Sequence, residues 1–292
     1  MPQPAPSEDS RAILHPAAMA QWVHLQRFPV PEALAGLLDW VWSVEWDLPV
    51  GAEHRQDVLS LPAVNISVGT VPPPGPHPPP GPYAVRPRVV GVARRRTTRV
   101  LSGAGWNVAA KTTVGGFGGL VTGSVARWSD HEVPLDEVLP VDATALGAAM
   151  LRAGGASARA DILLAALEPV VAQADPVRLR LAREVAAIAA AAAADPGLHR
   201  VGELAAYAGM SVRTLQRLFQ EYAGISPAWM LRRLRLIEAA ECVARGQQVR
   251  WAEVAAELGY SDQAHLSRDF LAAVGSTPTV YAAAQRLPVP NP

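Results

Sequence analysis

Hydrophobic and polar positions follow two different periods along the chain. Up to about residue 140 the apolar residues alternate as in half-buried strands, and beyond it they recur every three to four residues as in helices. In the first part, Ala33, Leu34, Leu37, Leu38 and Val41 predict a short helix from Pro31 that passes into a strand over Val41 to Trp46. Further strands are expected at Asp57 to Val68, Arg88 to Ala93, Thr97 to Leu101 and Trp106 to Val114, with glycines at the turns. The stretch from Val71 to Pro82 holds eight prolines, yet strand patterning resumes after it, so it reads as a long surface loop inside one β-rich domain. In the second part, Thr144 to Arg152, Arg159 to Ala172 and Pro176 to Ala194 carry helical spacing. Asp175 followed by Pro176 is an N-cap with proline at the first helical position, and Asp195-Pro196-Gly197 stops that helix.

The C-terminal region repeats itself. Glu203, Ala205, Ala206, Gly209 and Ser211 recur fifty residues later as Glu253, Ala255, Ala256, Gly259 and Ser261. After one inserted residue, Arg217, Phe219, Gly224 and Pro227 recur as Arg268, Phe270, Gly275 and Pro278. Each unit has helix-turn-helix logic: a short helix (Val201 to Ala208; Trp251 to Leu258), a glycine able to turn the chain through the left-handed region, and a serine that caps the next helix. Leu215, Leu218 and Phe219 mark the inward face of the first reading helix, and Leu266, Phe270 and Leu271 that of the second. Between the units, Pro227 to Ala244 reads as a connector helix with apolar positions at Met230, Leu234, Ile237 and Val243. Such a connector would hold two reading helices so that they enter successive major grooves about 34 Å apart.

The outward positions carry the candidate chemistry. Ser211, Arg213, Thr214, Gln216 and Arg217 in the first unit, and Ser261, Asp262, Gln263, His265 and Arg268 in the second, offer donors and acceptors near a helix start. Arginine pairs bidentately with guanine, glutamine with adenine, and aspartate accepts from cytosine, so this is the equipment for reading base edges in double-stranded DNA.

These residues resemble the AraC/XylS family of regulators. The resemblance runs over about residues 176 to 285. It rests on Gly209-Met210-Ser211, Leu215-Gln216-Arg217-Leu218-Phe219, Gly224-Ile225-Ser226-Pro227, Gly259-Tyr260-Ser261-Asp262, Ser267-Arg268-Asp269-Phe270 and the closing Gly275-Ser276-Thr277-Pro278. The resemblance implies base reading by Arg213, Gln216, Arg217, Gln263, Ala264 and Arg268. Ala264 offers only apolar contact, such as to a thymine methyl. Lys111 to Phe117, followed by Leu120 to Ser124, is similar to the β-rich sensor domain of one branch of these regulators, with Thr113-Val114 where that branch commonly shows Arg-Pro. Family sensors are often cupin-like barrels that bind a small effector or dimerise.

The resulting fold class is α+β: a β-rich, cupin-like, partly open barrel followed by an all-α domain with two helix-turn-helix motifs and a connector helix. The expected divisions are a disordered N-terminus over 1–19, a sensor or dimerisation domain over 20–140, a helical connector over 141–174 and the DNA-binding domain over 175–287. The expected function is a sequence-specific transcription regulator acting on promoter DNA with RNA polymerase. Its first domain would respond to a small-molecule effector or form a homodimer. Two competing readings stay open: a cupin-like enzyme fused to a DNA reader, and a constitutive DNA binder without effector.

Composition changes this picture little. With 292 residues two domains are the natural expectation, and a 50% hydrophobic share suffices for packed cores. Twenty-six basic against twenty-six acidic residues leave no net charge, so DNA binding must come from one local face. All basic residues but Lys111 are arginine, which discounts raw arginine counts. A lone Cys242 excludes an intrachain disulfide and reads as a buried small residue of the connector helix. The scattered histidines, among them His24, His54 and His131, show no paired spacing, so neither metal, cofactor nor enzymatic activity is expected. No apolar run is long enough to cross a membrane and no signal peptide is seen, pointing to the cytoplasm. Six tryptophans precede the helical region, of which Trp42, Trp46 and Trp106 are the candidate effector contacts, on the reasoning that a barrel lined with several would hold an apolar or planar molecule.

Overall fold

The computed structural model describes residues 19–71, 83–195, 197–244, 249–257 and 260–285. The expectations placed on 1–18, on most of the proline-rich stretch, on Leu258 and Gly259 and on 286–287 lie outside the described residues. Among the described residues eight strands form the first half: β1 (Val23–Phe28), β2 (Leu38–Asp47), β3 (Glu53–Val58), β4 (Asn65–Val71), β5 (Ala84–Val90), β6 (Thr97–Ser102), β7 (Ala104–Thr112) and β8 (Glu132–Pro134). Six pair antiparallel in the order β1-β2-β7-β4-β5-β8, while β3 and β6 form a separate two-stranded ribbon. Because no described strand bonds the ribbon to the sheet, the barrel is open, as the β-rich reading expected.

Several elements differ from the sequence-based expectation. Pro31 opens only one 3-10 turn, Glu32–Leu34, and the strand begins already at Leu38. The stretch Asp57 to Val68 is two strands, broken around Leu59 to Val64, where Pro62 has no amide hydrogen to give to a ladder. β1 was not foreseen: with Gln26 and Arg27 among its six residues it has weak alternation and exists through pairing with β2.

The register assigns the two faces of the sheet. Opposed residues of antiparallel strands point the same way, and Trp42 opposes Ala109, Trp46 opposes Gly105, and Glu45 opposes Trp106. Trp42 and Trp46 therefore share one face, and Trp106 lies on the other. On Trp106's side, Val41, Ile66, Val68, Val89, Val108 and Ala110 are fully buried. Two helices pack over them, α1 (Ala143–Arg152) and α2 (Ala156–Ala172), bringing in Met150, Leu163 and Leu167. There the Arg159 guanidinium lies 4.3 Å over the Trp106 ring and pairs with Glu45 at 2.6 Å. Trp106 is thus part of a helix-packed core rather than a third wall of one tryptophan-lined pocket.

The apolar core does not stop at the end of the sheet. It continues through Ala182, Val185 and Ile188 of α3 (Pro176–Ala194) into Leu204, Leu215, Phe219, Tyr222 and Met230 of the helices beyond. The glycine-rich loop makes this possible. Gly115 takes φ +94° and starts a 3-10 turn over Gly116–Gly119. A Cβ on Gly118 would lie 2.5 Å from the Cα of Tyr222, and one on Gly116 2.1 Å from the Leu37 carbonyl oxygen. Cys242 is half-buried rather than buried.

A methyl at Gly118 must push the helix carrying Tyr222 away. Gly118→Ala is expected to cost about 1–3 kcal/mol, read as a lower urea midpoint at unchanged slope. Gly154→Ala, whose methyl meets nothing within 4 Å, should leave the midpoint unchanged or raise it slightly; equal losses at both positions would contradict the tight docking.

Candidate nucleic-acid interface

The two repeat units become two helix pairs. The first is α4 (Val201–Tyr207) with α5 (Val212–Tyr222); then come the connector α6 (Pro227–Ala244), the second pair α7 (Trp251–Glu257) with α8 (Gln263–Val274), and α9 (Pro278–Gln285). In the first unit the Glu203 carboxylate accepts from the Arg200 backbone N–H at 2.9 Å, fixing the start of α4. Gly209 takes φ +63° at the turn, a conformation that side-chain-bearing residues adopt at a cost. Ser211 Oγ then accepts from the Thr214 N–H at 3.1 Å and caps α5. Leu215 and Phe219 are buried and Leu218 is half-buried, while Ser211, Arg213, Gln216 and Arg217 are exposed on one side of the helix start. Thr214 is half-buried, its hydroxyl 2.9 Å from Ser211 Oγ.

The second unit departs from the first in its cap. Ser261 was expected in that role by analogy with Ser211, but the cap is Asp262, whose carboxylate accepts from the His265 N–H at 2.7 Å. The backbone bond from His265 also holds the Asp262 carboxyl below the usual carboxylate range. Ser261 instead donates to Asp262 at 3.3 Å. Gln263, Ala264 and Arg268 are exposed, and the half-buried His265 ring stands edge-on to Tyr260 at 4.9 Å. The inward face is Leu266, Phe270, Ala273 and Val274; Leu271, expected inward, is 45% exposed. Leu266, Phe270 and Val274 are spaced four apart and take the inward stripe, which turns position 271 to its margin.

Both units are held from outside. The end of α5 receives hydroxyls from the β-rich half: Ser124 donates to the Gln220 carbonyl, which no helical amide can satisfy, at 2.8 Å, and Ser129 donates to the carbonyl of Gly224, just past the helix, at 3.1 Å. Arg178 of α3 stitches the same junction, donating to the Gly118 carbonyl at 3.0 Å and pairing with Glu221 at 3.1 Å. On the connector, Arg233 is 4% exposed, donates to the Arg94 carbonyl and lies 4.7 Å over the Trp229 ring. Burial pulls its pKa down to about 10, opposed by the charge of Asp130. Asp130 in turn, at φ +63°, accepts from the Arg94 backbone N–H and from Arg94 Nε, each at 2.7 Å. The second unit has its own core of Leu236, Ile237, Ala240, Tyr260, Leu266, Phe270 and Tyr281, into which Leu59 from the end of β3 inserts. Tyr260 donates to Asp269 at 2.9 Å, and burial together with that carboxylate pushes its hydroxyl pKa up. Nothing in the spacing of residues announced Arg233, Ser124 or Ser129 as anchors.

The structure thus places the sequence-predicted residues in two clusters, one at the start of α5 and one at the start of α8. Trp42 and Trp46 lie on the opposite side of the sheet from the helix-packed core: Trp42 donates to Asn65 Oδ1 at 3.0 Å, and Trp46 is buried with Met19, Val23 and Leu48 and donates to the Ser102 carbonyl at 3.2 Å. Among the described residues no three or more His, Cys, Asp or Glu form a group able to hold a metal ion. No described helix is long and apolar enough to cross a membrane.

The matching family profiles fall on the two halves described above. The profile of a helix-turn-helix domain family matches residues 204–284, and that of a domain of unknown function, DUF6597, matches residues 26–134. The HTH-type transcriptional activator RhaR of Yersinia pseudotuberculosis is 36% identical over 69 residues, 24% of this chain and 23% of RhaR; the chain thus matches less than a quarter of the length of such curated relatives. Among solved structures, the DNA-binding domain of the global transcriptional factor AdpA, in complex with a target DNA, is 32% identical over 35% of this chain and 93% of that one, with TM-score 0.31. ToxT of Vibrio cholerae is 10% identical over 89% and 97% of the two chains, with TM-score 0.36. The C-terminal part of this chain is an AraC-type helix-turn-helix domain.

Proposed function

We propose that this chain is a sequence-specific transcription regulator that binds promoter DNA through α5 and α8 and acts on RNA polymerase. The observation that carries the reading is the pair of exposed polar clusters at two helix starts, joined by the single connector α6. In the first unit Arg213, Gln216 and Arg217 are the base readers, with Ser211 and Thr214 at the helix start reaching phosphate or base. In the second, Gln263 and Arg268 read bases, Ala264 gives an apolar contact, and Ser261, Asp262 and His265 flank them. Asp262 already uses its carboxylate as a cap, so its part is mainly to present the helix start, a fixed ring of amides that favours anions.

The regulator reading places the protein in the cytoplasm and divides it by role: a sensor over 20–140, a helical connector over 141–174 and the reader over 175–287. Control would come from an effector on the sensor, with Trp42 and Trp46 on its ribbon side, or from a homodimer. The reading assigns no catalytic step to any residue.

Selection of random duplexes by the full-length protein at near-physiological salt, followed by sequencing, is expected to recover a bipartite motif with halves about one helical turn apart, roughly 34 Å. Recovery of no motif, with folded protein confirmed, would overturn the proposal. On that site Arg217→Ala and Arg268→Ala should each weaken binding by about 1–3 kcal/mol and relax preference at one base position. Equal weakening on all sequences, with a shallower salt dependence, would make them phosphate contacts instead.

A further inference from the structure

The side of the six-stranded sheet that faces the β3–β6 ribbon carries polar groups where the other face is aliphatic. On this face Ser67 opposes both Ala109 and Arg88. Asn107 Oδ1 accepts from Ser67 Oγ at 2.9 Å and from Arg88 Nη2 at 3.3 Å. Trp42 and Asn65 stand farther along, and the ribbon contributes Gln56, 6% exposed, directly opposite Arg99. At the open edge the Glu132 carboxylate of β8 sits between Arg99 at 2.6 Å and Arg88 at 3.2 Å.

The charges there do not balance. Arg88 feels Arg99 and Arg86 as like charges and Glu132 as its single opposite charge, and its pKa is lowered first by burial. Two guanidiniums thus hold one carboxylate, with Arg86 a further like charge beside Arg88. Burying a guanidinium is costly without full pairing, and a fold stapled only for stability would be served as well by an apolar filling. The surplus of positive charge next to a row of amide and hydroxyl groups is what recognition of a carboxylate requires. Glu132 is 41% exposed at its side chain and stands on a strand of only three residues, so it can leave.

We propose that this cup binds a small carboxylate, and that Glu132 occupies, between Arg88 and Arg99, the place the ligand's carboxylate takes. The proposal deepens the effector reading given above and rests on it. Entry of the ligand frees Arg99, and with it the ribbon, from β8. The ribbon also carries the second reader: Asp57 binds Arg96 at 2.6 Å, the Arg96 guanidinium lies against Gly275 at the end of α8, and Leu59 enters the core of the second unit. Occupancy of the cup is therefore transmitted to α8 and changes DNA affinity.

The test uses the full-length protein, with acetate, succinate and benzoate, each paired with its neutral amide at constant ionic strength, and reads thermal shift and tryptophan emission. At least one carboxylate should raise the melting temperature where its amide does not. Glu132→Gln should tighten that carboxylate about tenfold, because an internal competitor is gone, and Arg88→Met should abolish the response while melting cooperatively. Should Arg88→Met fail to fold, the gain in Glu132→Gln alone decides. No preference for any carboxylate over its amide in wild type and in Glu132→Gln overturns the site, as does a response that survives Arg88→Met. A protein that selects a DNA motif but shows no such preference overturns this site alone; one that binds a carboxylate but selects no motif overturns the regulator reading alone.

Discussion

The approach of Gly118 to the backbone of Tyr222 is the contact on which the arrangement of the molecule turns. It lets the glycine-rich loop of the β-rich half lie against the end of α5, close enough for Ser124 to take up the Gln220 carbonyl that the helix leaves open and for Ser129 to take up that of Gly224 just beyond. The first helix pair is consequently an extension of the same apolar core as the sheet rather than a bead on a linker. Its exposed start, with Arg213, Gln216 and Arg217, is aimed by that core. The second helix pair hangs from the first through α6 and touches the β-rich half at fewer points, chiefly Arg233 of α6 with Arg94, Arg96 with Gly275, and Leu59. A junction with one firm and one lighter attachment is the kind of element whose equilibrium a bound molecule can shift.

Much of this was readable in the residues. The repeat of glycine, serine, arginine, phenylalanine and proline located both helix pairs, and strong local signals set the bounds of α3 and α6: Asp175-Pro176 opens α3 and Asp195 follows its last residue, while Pro227 opens α6. Local chemistry misled where two neighbours were equally able to do the same work. Ser261 and Asp262 both suit a cap, and backbone geometry, which places Asp262 in the extended conformation just before the helix, decided for the carboxylate. Leu271 is apolar and in helical phase, yet the stripe through Leu266, Phe270 and Val274 left it at the edge.

What the residues did not show depends on partners far away in the chain. β1 pairs with β2 although its own alternation is weak, and the faces of Trp42 and Trp106 follow from the register with β7, a property of the pair and not of either strand. The clasp of Arg88 and Arg99 around Glu132 is assembled from three strands and was invisible in a chain whose basic residues are nearly all arginine. Likewise Arg233 has the look of a solvated helix charge until the β5–β6 loop is laid over it.

The central claim, that two reading helices held by one connector meet DNA together, is tested most directly by hydroxyl-radical and major-groove footprinting of the full-length protein on a single bound duplex. Two protected segments on one face of the DNA, about 34 Å apart and each lost with the arginine of its own helix, are the expected result. Protection of one segment only, or of segments on opposite faces, would contradict it.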